Sequence, residues 1–239
     1  MLNKIFYFIF FICFIHSGIA ISNASSCNSN GCEGLSIPSE AKKIINSGYE
    51  YVSIENYLGN KYLVATTVSE INKCSVLFGI NGDTINNVPT VGVNNQICNL
   101  SMHDNKIISS WRDAGEWNED IYQINTGGKW KLLFRDSCVG CEQTKRTYFL
   151  DDKKTDTILL SGGDDFTKRK ELIGQVTVNK AILFKSADLD SITKSYLIKG
   201  DNVTLTDMSK NGAFYKIKYK TGSGKFIEYW MKSEDFDLQ

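Results

Sequence analysis

The chain has 239 residues, with 27 Lys and Arg against 27 Asp and Glu, so it carries no net charge at neutral pH. A balanced charge gives no electrostatic basis for binding nucleic acid or an anionic membrane. Only two prolines, together with many Val, Ile, Thr, Tyr and Phe residues, favour strands over helices. Composition therefore predicts a mainly β protein.

Residues 1–24 are typical of an export signal. Lys4 gives the positive start, an apolar run rich in Ile and Phe spans 5–15, and cleavage fits after Ala24 or Ala20. The run is shorter than the roughly 20 residues that cross a bilayer, so an uncleaved anchor is the weaker alternative. Cleavage removes one lysine and no acid, which leaves a net charge of −1. We expect a periplasmic or extracellular protein with no stable membrane insertion after cleavage.

Six cysteines remain after the signal, and six cysteines allow fifteen pairings. Proximity in the sequence favours three local disulfides: Cys27–Cys32, Cys74–Cys98 and Cys138–Cys141. The alternative for the Cys-x-x-Cys at Cys138 is a redox or zinc site, but the strand-to-helix context and a second ligand pair that those sites need are missing. We expect structural disulfides, as in exported proteins, and no cofactor or metal.

The mature chain divides into four predicted parts. Residues 25–48 form a disulfide-looped segment and a short helix from Ser39 to Asn46. Residues 49–165 alternate apolar and polar side chains, which predicts an antiparallel β domain: a sandwich, a barrel or a partial propeller. Residues 166–175 are a charged linker or short helix, and residues 176–239 are a second, smaller β domain.

The densest chemistry lies in the middle of the first domain. Strands are predicted at Ile107–Trp111, Asp120–Ile124 and Lys129–Phe134. The glycines of the turn at Asn125–Gly128 tolerate the positive φ of a tight hairpin. A polar loop, Arg112–Trp117, lies between the first two strands. We expect any recognition site to be on these two loops.

The last sixty residues contain five short predicted strands. Three stretches carry a resemblance: Tyr196–Val203 (YLIKGDNV), Phe214–Tyr219 (FYKIKY) and Tyr229–Phe236 (YWMKSEDF). Their order, with a Gly-Asp turn before an apolar strand and a closing Trp-Met-Lys-Ser, resembles a bacterial SH3 domain over Val176 to Phe236. The resemblance implies a small closed β-barrel.

Catalytic chemistry finds little support in the sequence. His103 is the one histidine outside the predicted signal, so a Cys or Ser nucleophile would depend on it alone for a base. Two carboxylate pairs, Asp113 with Glu116 and Glu119 with Asp120, leave a glycosidase as an alternative, provided that a pair faces across a cleft. We predict that the protein is not an enzyme.

Two stretches instead resemble inhibitor proteins. Tyr122–Gly127 (YQINTG) matches the Tyr-x-x-x-Thr-Gly loop of bacterial lysozyme inhibitors. Ser110–Tyr122 (SWRDAGEWNEDIY) is similar to a strand-loop-strand of a small periplasmic family that includes immunity proteins against lysozyme-like toxins. The resemblance implies a hairpin tip that enters the target's sugar-binding cleft. It assigns tip contacts to Thr126 and Gly127, a brace to Tyr122, an aromatic anchor to Trp117, and rim charges to Arg112, Asp113 and Glu116.

The sequence therefore predicts an exported bacterial binding protein without enzymatic activity. Its expected partner is a secreted toxin or cell-wall hydrolase, which it blocks by loop insertion. The alternative is an adaptor that binds peptidoglycan or an envelope protein through the SH3-like domain. In that case the groove would be lined by aromatic residues: Tyr196, Tyr215, Tyr219 and Trp230.

Overall fold

A computed structural model of the protein describes residues 27–28, 30–92 and 94–239. The predicted signal peptide, residues 1–24, lies outside these residues. The described residues are mainly β, as the composition predicts, and their paired strands run antiparallel. None of the helices within these ranges is long and apolar enough to cross a membrane.

The N-terminal segment contains three short elements: β1 (Gly31–Cys32), β2 (Leu35–Ser36) and α1 (Ser39–Ile45). The helix follows Pro38, whose missing N–H costs nothing where a helix begins, and it ends at Asn46. Ala41 and Ile45 are four residues apart and are buried on one helical face. The predicted short helix is confirmed.

The first sheet contains five strands: β3 (Tyr51–Tyr57), β4 (Asn60–Thr66), β5 (Cys74–Asn81), β6 (Thr84–Ile85) and β7 (Ile97–Cys98). Its order is β3-β4-β5-β6, and β7 also pairs with β5. Residues 62–65 of β4 are buried without interruption, because both faces of the sheet are covered. Leu63 and Ala65 pack in the same core as α1, whereas Tyr62 and Val64 pack toward the second sheet.

The second sheet contains six strands: β8 (Ser101–His103), β9 (Lys106–Asp113), β10 (Glu116–Ile124), β11 (Trp130–Val139), β12 (Gln143–Leu150) and β13 (Lys153–Ser161). Each strand pairs with the next along the chain, so the sheet is a meander. Its side chains Ile107, Tyr122 and Trp130 share one core with Tyr62 and Val64. The first and second sheets thus pack face to face as a sandwich, one of the three architectures that the alternation allows.

The third sheet contains seven strands: β14 (Ile173–Val176), β15 (Ala181–Phe184), β16 (Ile192–Leu197), β17 (Asn202–Met208), β18 (Phe214–Lys220), β19 (Phe226–Lys232) and β20 (Phe236–Leu238). It curls into a half-barrel around a core that includes Leu183, Leu205, Ile217 and Met231. The five predicted strands are present, and β14 and β20 join them. The likeness to a bacterial SH3 domain stays a prediction.

The segment predicted as a linker, residues 166–175, is packed against the second sheet. Phe166 and Arg169 are buried, and β14 already begins at Ile173. Leu159 of β13 belongs to the core of the third sheet. The side chain of Lys145 also reaches β17, where its Nζ lies 2.8 Å from both carboxylate oxygens of Asp207. Residues of the second sheet therefore pack on the third sheet directly.

Candidate functional site

The residues predicted to recognise a partner lie on β10 and its two turns. Arg112 and Asp113 end β9, Glu116 and Trp117 begin β10, and Thr126 follows the end of β10. A nine-residue strand spans about 30 Å at roughly 3.3 Å per residue. The structure therefore does not bring the predicted rim residues and tip residues together. They form two separate surfaces, which we call the Trp117 hairpin (residues 112–117) and the Thr126 turn (residues 125–129).

The Thr126 turn is ordered by the side chain of Asn125. Its Oδ1 accepts hydrogen bonds from the backbone N–H groups of Gly127 (3.0 Å) and Lys129 (2.9 Å). The Asn125 carbonyl accepts from the N–H of Gly128 at 2.9 Å. This is the local pairing that makes Asn favourable in turns. Because the Gly127 N–H is engaged, the groups left to face a partner are the Gly127 carbonyl and the exposed Thr126 side chain.

A buried aromatic cluster supports this turn. The Trp130 Nε1–H donates to the Tyr62 hydroxyl at 3.0 Å, and that hydroxyl lies 3.5 Å from the Gly128 carbonyl. The Tyr122 ring is 4% exposed and packs edge-on against Trp130, with 5.8 Å between ring centroids. Edge-to-face pairs of this kind restrict both rings. The turn thus rests on the core between the two sheets.

Tyr122 is also fixed through its hydroxyl, which donates to Asp120 Oδ2 at 3.1 Å. The buried Asp120 carboxylate accepts two further bonds from Arg135, at 2.7 and 2.8 Å, and the guanidinium of Arg135 stacks on Trp111. Burial, and then the neighbouring Asp120 charge, raise the pKa of Tyr122 well above its usual range. The phenol therefore stays neutral and acts as a structural hydrogen-bond donor.

A polar cavity lies beside the Thr126 turn, next to the turn between β12 and β13. Its volume is about 260 Å³. It is lined by seven residues: Gln123, Asn125, Lys129, Trp130, Lys131, Asp151 and Asp152. Lys129 and Lys131 are exposed and flank the turn. This end of the sheet offers an exposed hydroxyl, two cations and the two carboxylates of Asp151 and Asp152 around a concave surface.

The Trp117 hairpin is a tight two-residue turn and not the polar loop that the sequence predicts. Ala114 and Gly115 have φ of 47° and 91°, the positive values of a type I′ turn, whose twist matches that of the flanking strands. The Asn72 side chain bonds both backbone groups of Arg112, at 2.8 and 2.9 Å. Trp117 is 37% exposed. The hairpin is thus a second rigid surface with an aromatic side chain.

All three disulfides that proximity predicts are confirmed. Cys138–Cys141 closes the turn between β11 and β12, and Trp117 pairs in register with Val139. This bridge therefore supports the Trp117 hairpin and lies at the other end of β10 from the Thr126 turn. The rigidity of the Thr126 turn comes from Asn125 and the aromatic cluster.

A buried ion network occupies the other face of the second sheet. Arg146 binds the fully buried Asp136 through two bonds of 2.7 Å. Arg169 contacts the same carboxylate and lies 3.0 Å from Glu119. Burial raises the pKa of Glu119, Arg169 lowers it, and the charge of Asp136 raises it again, with a net increase. Each acid is held by arginine, so the network joins residues 163–170 to the sheet.

The residues that the sequence offers for catalysis, two carboxylate pairs and His103, are not arranged as a catalytic site. Glu119 and Asp120 bond to different arginines, because neighbouring side chains on a strand point to opposite faces. Asp113 and Glu116 are exposed on the Trp117 hairpin. His103 is exposed, with its Nε2 3.7 Å from Asp165. No group of three or more His, Cys, Asp or Glu residues in the described ranges could hold a metal ion.

No protein-family model, curated protein or solved structure matches this chain. The resemblances to bacterial SH3 domains and to lysozyme inhibitors therefore rest on the sequence motifs and stay predictions. What the structure adds is the geometry of two rigid hairpin ends on one strand.

Proposed function

We propose that this is an exported binding protein without enzymatic activity, which blocks a toxin or cell-wall hydrolase by inserting the Thr126 turn into its cleft. The observation that carries the proposal is an exposed polar turn that is already ordered by Asn125 and by the aromatic cluster beneath it. Ordering a loop on binding costs affinity, and a turn fixed beforehand avoids that cost. The three disulfides fit an exported protein, and the periplasm is the proposed compartment.

The chemistry of the turn complements a hydrolase cleft. Glycoside hydrolases that cut sugar polymers carry two carboxylic residues around the scissile bond. The Thr126 hydroxyl is exposed and can donate to such a carboxylate. Lys129 and Lys131 lie on the strand side of the turn, and Asp151 and Asp152 line the far side of the cavity. The Gly127 carbonyl can accept from a protonated acid. The turn therefore offers a partner for each of the two protonation states.

The Trp117 hairpin takes no part in this contact. It lies at the opposite end of β10, about 30 Å away on strand geometry, so a cleft that receives Thr126 does not reach it. Exposed Trp and Arg residues are frequent at the centres of protein interfaces, which makes Trp117 and Arg112 the rival site. The distance makes the two sites separable by mutation.

The experiment is affinity capture with the mature chain, residues 25–239, from lysates of the source bacterium and of its competitors. The captured protein is then assayed for enzymatic activity with and without the mature chain. We expect stoichiometric inhibition that Thr126→Arg abolishes, because a side chain of that size prevents the turn from entering the cleft. Thr84→Arg alters an exposed threonine on the first sheet and should leave inhibition intact, as should Trp117→Ala. Inhibition that survives Thr126→Arg and fails with Trp117→Ala would transfer the function to the Trp117 hairpin.

The adaptor remains the second candidate because of one exposed apolar patch. Ile192, Tyr196 and Ile198 are exposed on or next to β16, an edge strand of the third sheet. Of the other predicted groove aromatics, Tyr215 is buried, and Tyr219 and Trp230 are half-buried. Retention of the mature chain on purified peptidoglycan, lost with Tyr196→Ala and kept with Thr126→Arg, would favour the adaptor.

A further inference from the structure

We propose that a groove along β3 binds a short neutral saccharide chain, a site distinct from the proposed inhibitory turn. The groove has a volume of about 310 Å³, within the range of small-ligand sites. It is lined by ten residues: Tyr51, Ser53, Glu55, Tyr57, Val64, Thr66, Lys73, Ser75, Asn99 and Leu100. They come from β3, β4 and β5, from the residue before β5, and from the two residues after β7.

One wall of the groove is a row of alternate residues on β3. Tyr51, Ser53, Glu55 and Tyr57 are two residues apart, so their side chains point to the same face of the strand. In the described part of the chain, β3 pairs with β4 and has no second strand partner, which makes it a sheet edge. Tyr51 is 63% exposed. Glu55 is also exposed, whereas Ser53 and Tyr57 are half-buried, so the row is open at Tyr51 and Glu55 and closes against the core at Tyr57.

The tyrosines give this row the chemistry of a sugar site. A tyrosine combines a flat apolar face with a polar hydroxyl, and a sugar ring combines an apolar C–H face with polar edges. Within the described residues neither the Tyr51 hydroxyl nor the Tyr57 hydroxyl has a hydrogen-bond partner. Six residues of strand separate them by about 20 Å, room for several linked units. Burial, and then the charge of Glu55, raise the pKa of Tyr57, in keeping with a carboxylate beside that ring.

Hydrogen-bond donors and acceptors lie both on the floor of the groove, formed by Thr66 and Ser75, and on the β3 row. The Thr66 and Ser75 hydroxyl oxygens are 2.8 Å apart, and the Ser53 hydroxyl donates to Glu55 Oε1 at 2.8 Å. Each hydroxyl keeps capacity for another bond, and the carboxylate keeps several acceptor positions. A chain of sugar hydroxyls, which both donate and accept, can pair with such a surface.

The opposite wall is fixed by Asn99. Its Oδ1 accepts from the Lys73 N–H at 3.1 Å, and its Nδ2 donates to the carbonyls of Ile71 (2.9 Å) and Ser110 (3.0 Å). These bonds join Asn99 to residues 71–73 and to Ser110, so this wall is ordered before any ligand binds. A wall ordered beforehand lowers the entropy lost on binding.

Charge and polarity argue against other ligand classes. Glu55 and Lys73 give the lining one acid and one base, so the groove does not attract an anion or a cation strongly. The lining has two aliphatic residues, Val64 and Leu100, too few for a lipid or an apolar peptide. A polar extended peptide could instead pair with the backbone edge of β3. The experiment must therefore distinguish a saccharide ligand from such a peptide.

The experiment is an NMR titration of the ¹⁵N-labelled mature chain with four neutral tetrasaccharides and one polar extended peptide. The sugars are cellotetraose, maltotetraose, mannotetraose and N-acetylchitotetraose, and the peptide is rich in Ser, Thr and Gln. We expect at least one sugar to shift the amide signals of Tyr51, Glu55, Thr66 and Asn99 in a saturable way at millimolar concentration. Tyr51→Ala should weaken this binding by about tenfold, the loss of one aromatic contact.

Matched variants separate the outcomes. Tyr196→Ala removes an exposed tyrosine from the third sheet and should leave sugar binding unchanged. Thr126→Arg should also leave sugar binding unchanged, because the groove and the Thr126 turn are separate sites. The test of the groove therefore does not depend on the outcome for the inhibitor proposal. No saturable shift with any of the four sugars, shifts that Tyr51→Ala does not alter, or binding of the peptide alone would each overturn the proposal.

Discussion

Arg169 offers the sharpest test of how the fold is held together. Its side chain is fully buried in the segment that the sequence presents as a linker. It contacts the carboxylate of Asp136, lies 3.0 Å from that of Glu119, and donates from Nε to the Gly163 carbonyl at 2.8 Å. We expect Arg169→Met, which keeps an unbranched apolar stem and removes the guanidinium, to destabilise the protein strongly.

The size of the effect follows from the partners that remain. Removing one member of a buried ion pair typically costs about 3–5 kcal/mol, because the other charge is left without compensation. Asp136 keeps two bonds from Arg146, which reduces the loss. Glu119 loses the arginine that lowers its pKa, and burial then acts on it unopposed. We therefore expect the free energy of unfolding to fall by about 3 kcal/mol, near the lower end of that range.

Urea unfolding followed by tryptophan fluorescence measures this change. The matched control is Lys168→Met, the neighbouring residue, whose side chain is 83% exposed and should contribute little. Adding Glu119→Gln to Arg169→Met should recover part of the loss, since it removes the uncompensated acid, and the two changes should not be additive. Equal, small losses for Arg169→Met and Lys168→Met would refute a structural role for the network.

Three further predictions concern stability. Replacing Cys74 and Cys98 by serine should lower the free energy of unfolding by about 3.5 kcal/mol, and replacing Cys138 and Cys141 should lower it by about 1.6 kcal/mol. The first bridge closes the longer loop, with a sequence separation of 24 against 3. Thermal unfolding of the two double variants checks this order. Burial raises the pKa of Asp156, but the hydrogen bonds from Lys218 and the Thr157 N–H and the charges of Lys218 and Lys216 together outweigh it, so the net pKa is lowered. The stability from the Lys218 pair is therefore present above the unfolded pKa of about 3.9 and is lost as the pH falls below it. Lys218→Met should therefore cost less than about 1 kcal/mol in urea unfolding at pH 6 and almost nothing at pH 2, since solvent screens the pair. Gly128→Ala should cost about 1 kcal/mol by calorimetry, because φ at this position is 73°.

Much of the fold could be predicted because most strands have one covered face. Alternation of apolar and polar side chains located the longer strands, and proximity located the disulfides. β14 and β20 have four and three residues, too few for a period of two to show. The ion network escaped prediction because Glu119, Asp136 and Arg146 have the charged side chains of a solvent-exposed face. Their pairing emerges only when the register of three strands is known.

The candidate site was predicted residue by residue but not as an arrangement. Closeness in sequence suggested that Trp117 and Thr126 form one surface, yet a strand of nine residues separates them. The number of residues between the two turns is known from the sequence. At the rise of an extended strand, that number already predicts that the two turns lie far apart. The resemblance assigns a tip contact to Gly127, but the Asn125 side chain binds its N–H, an interaction typical of Asn in turns, and leaves only the Gly127 carbonyl for a partner.

The most direct measurement of the proposed function is the dissociation constant of the captured partner for three forms of the mature chain. We expect Thr126→Arg to weaken binding about 100-fold, or about 2.7 kcal/mol, the effect of a central interface residue. Trp117→Ala should leave the constant within about twofold of the unchanged protein. Undiminished affinity of Thr126→Arg would contradict insertion of the Thr126 turn.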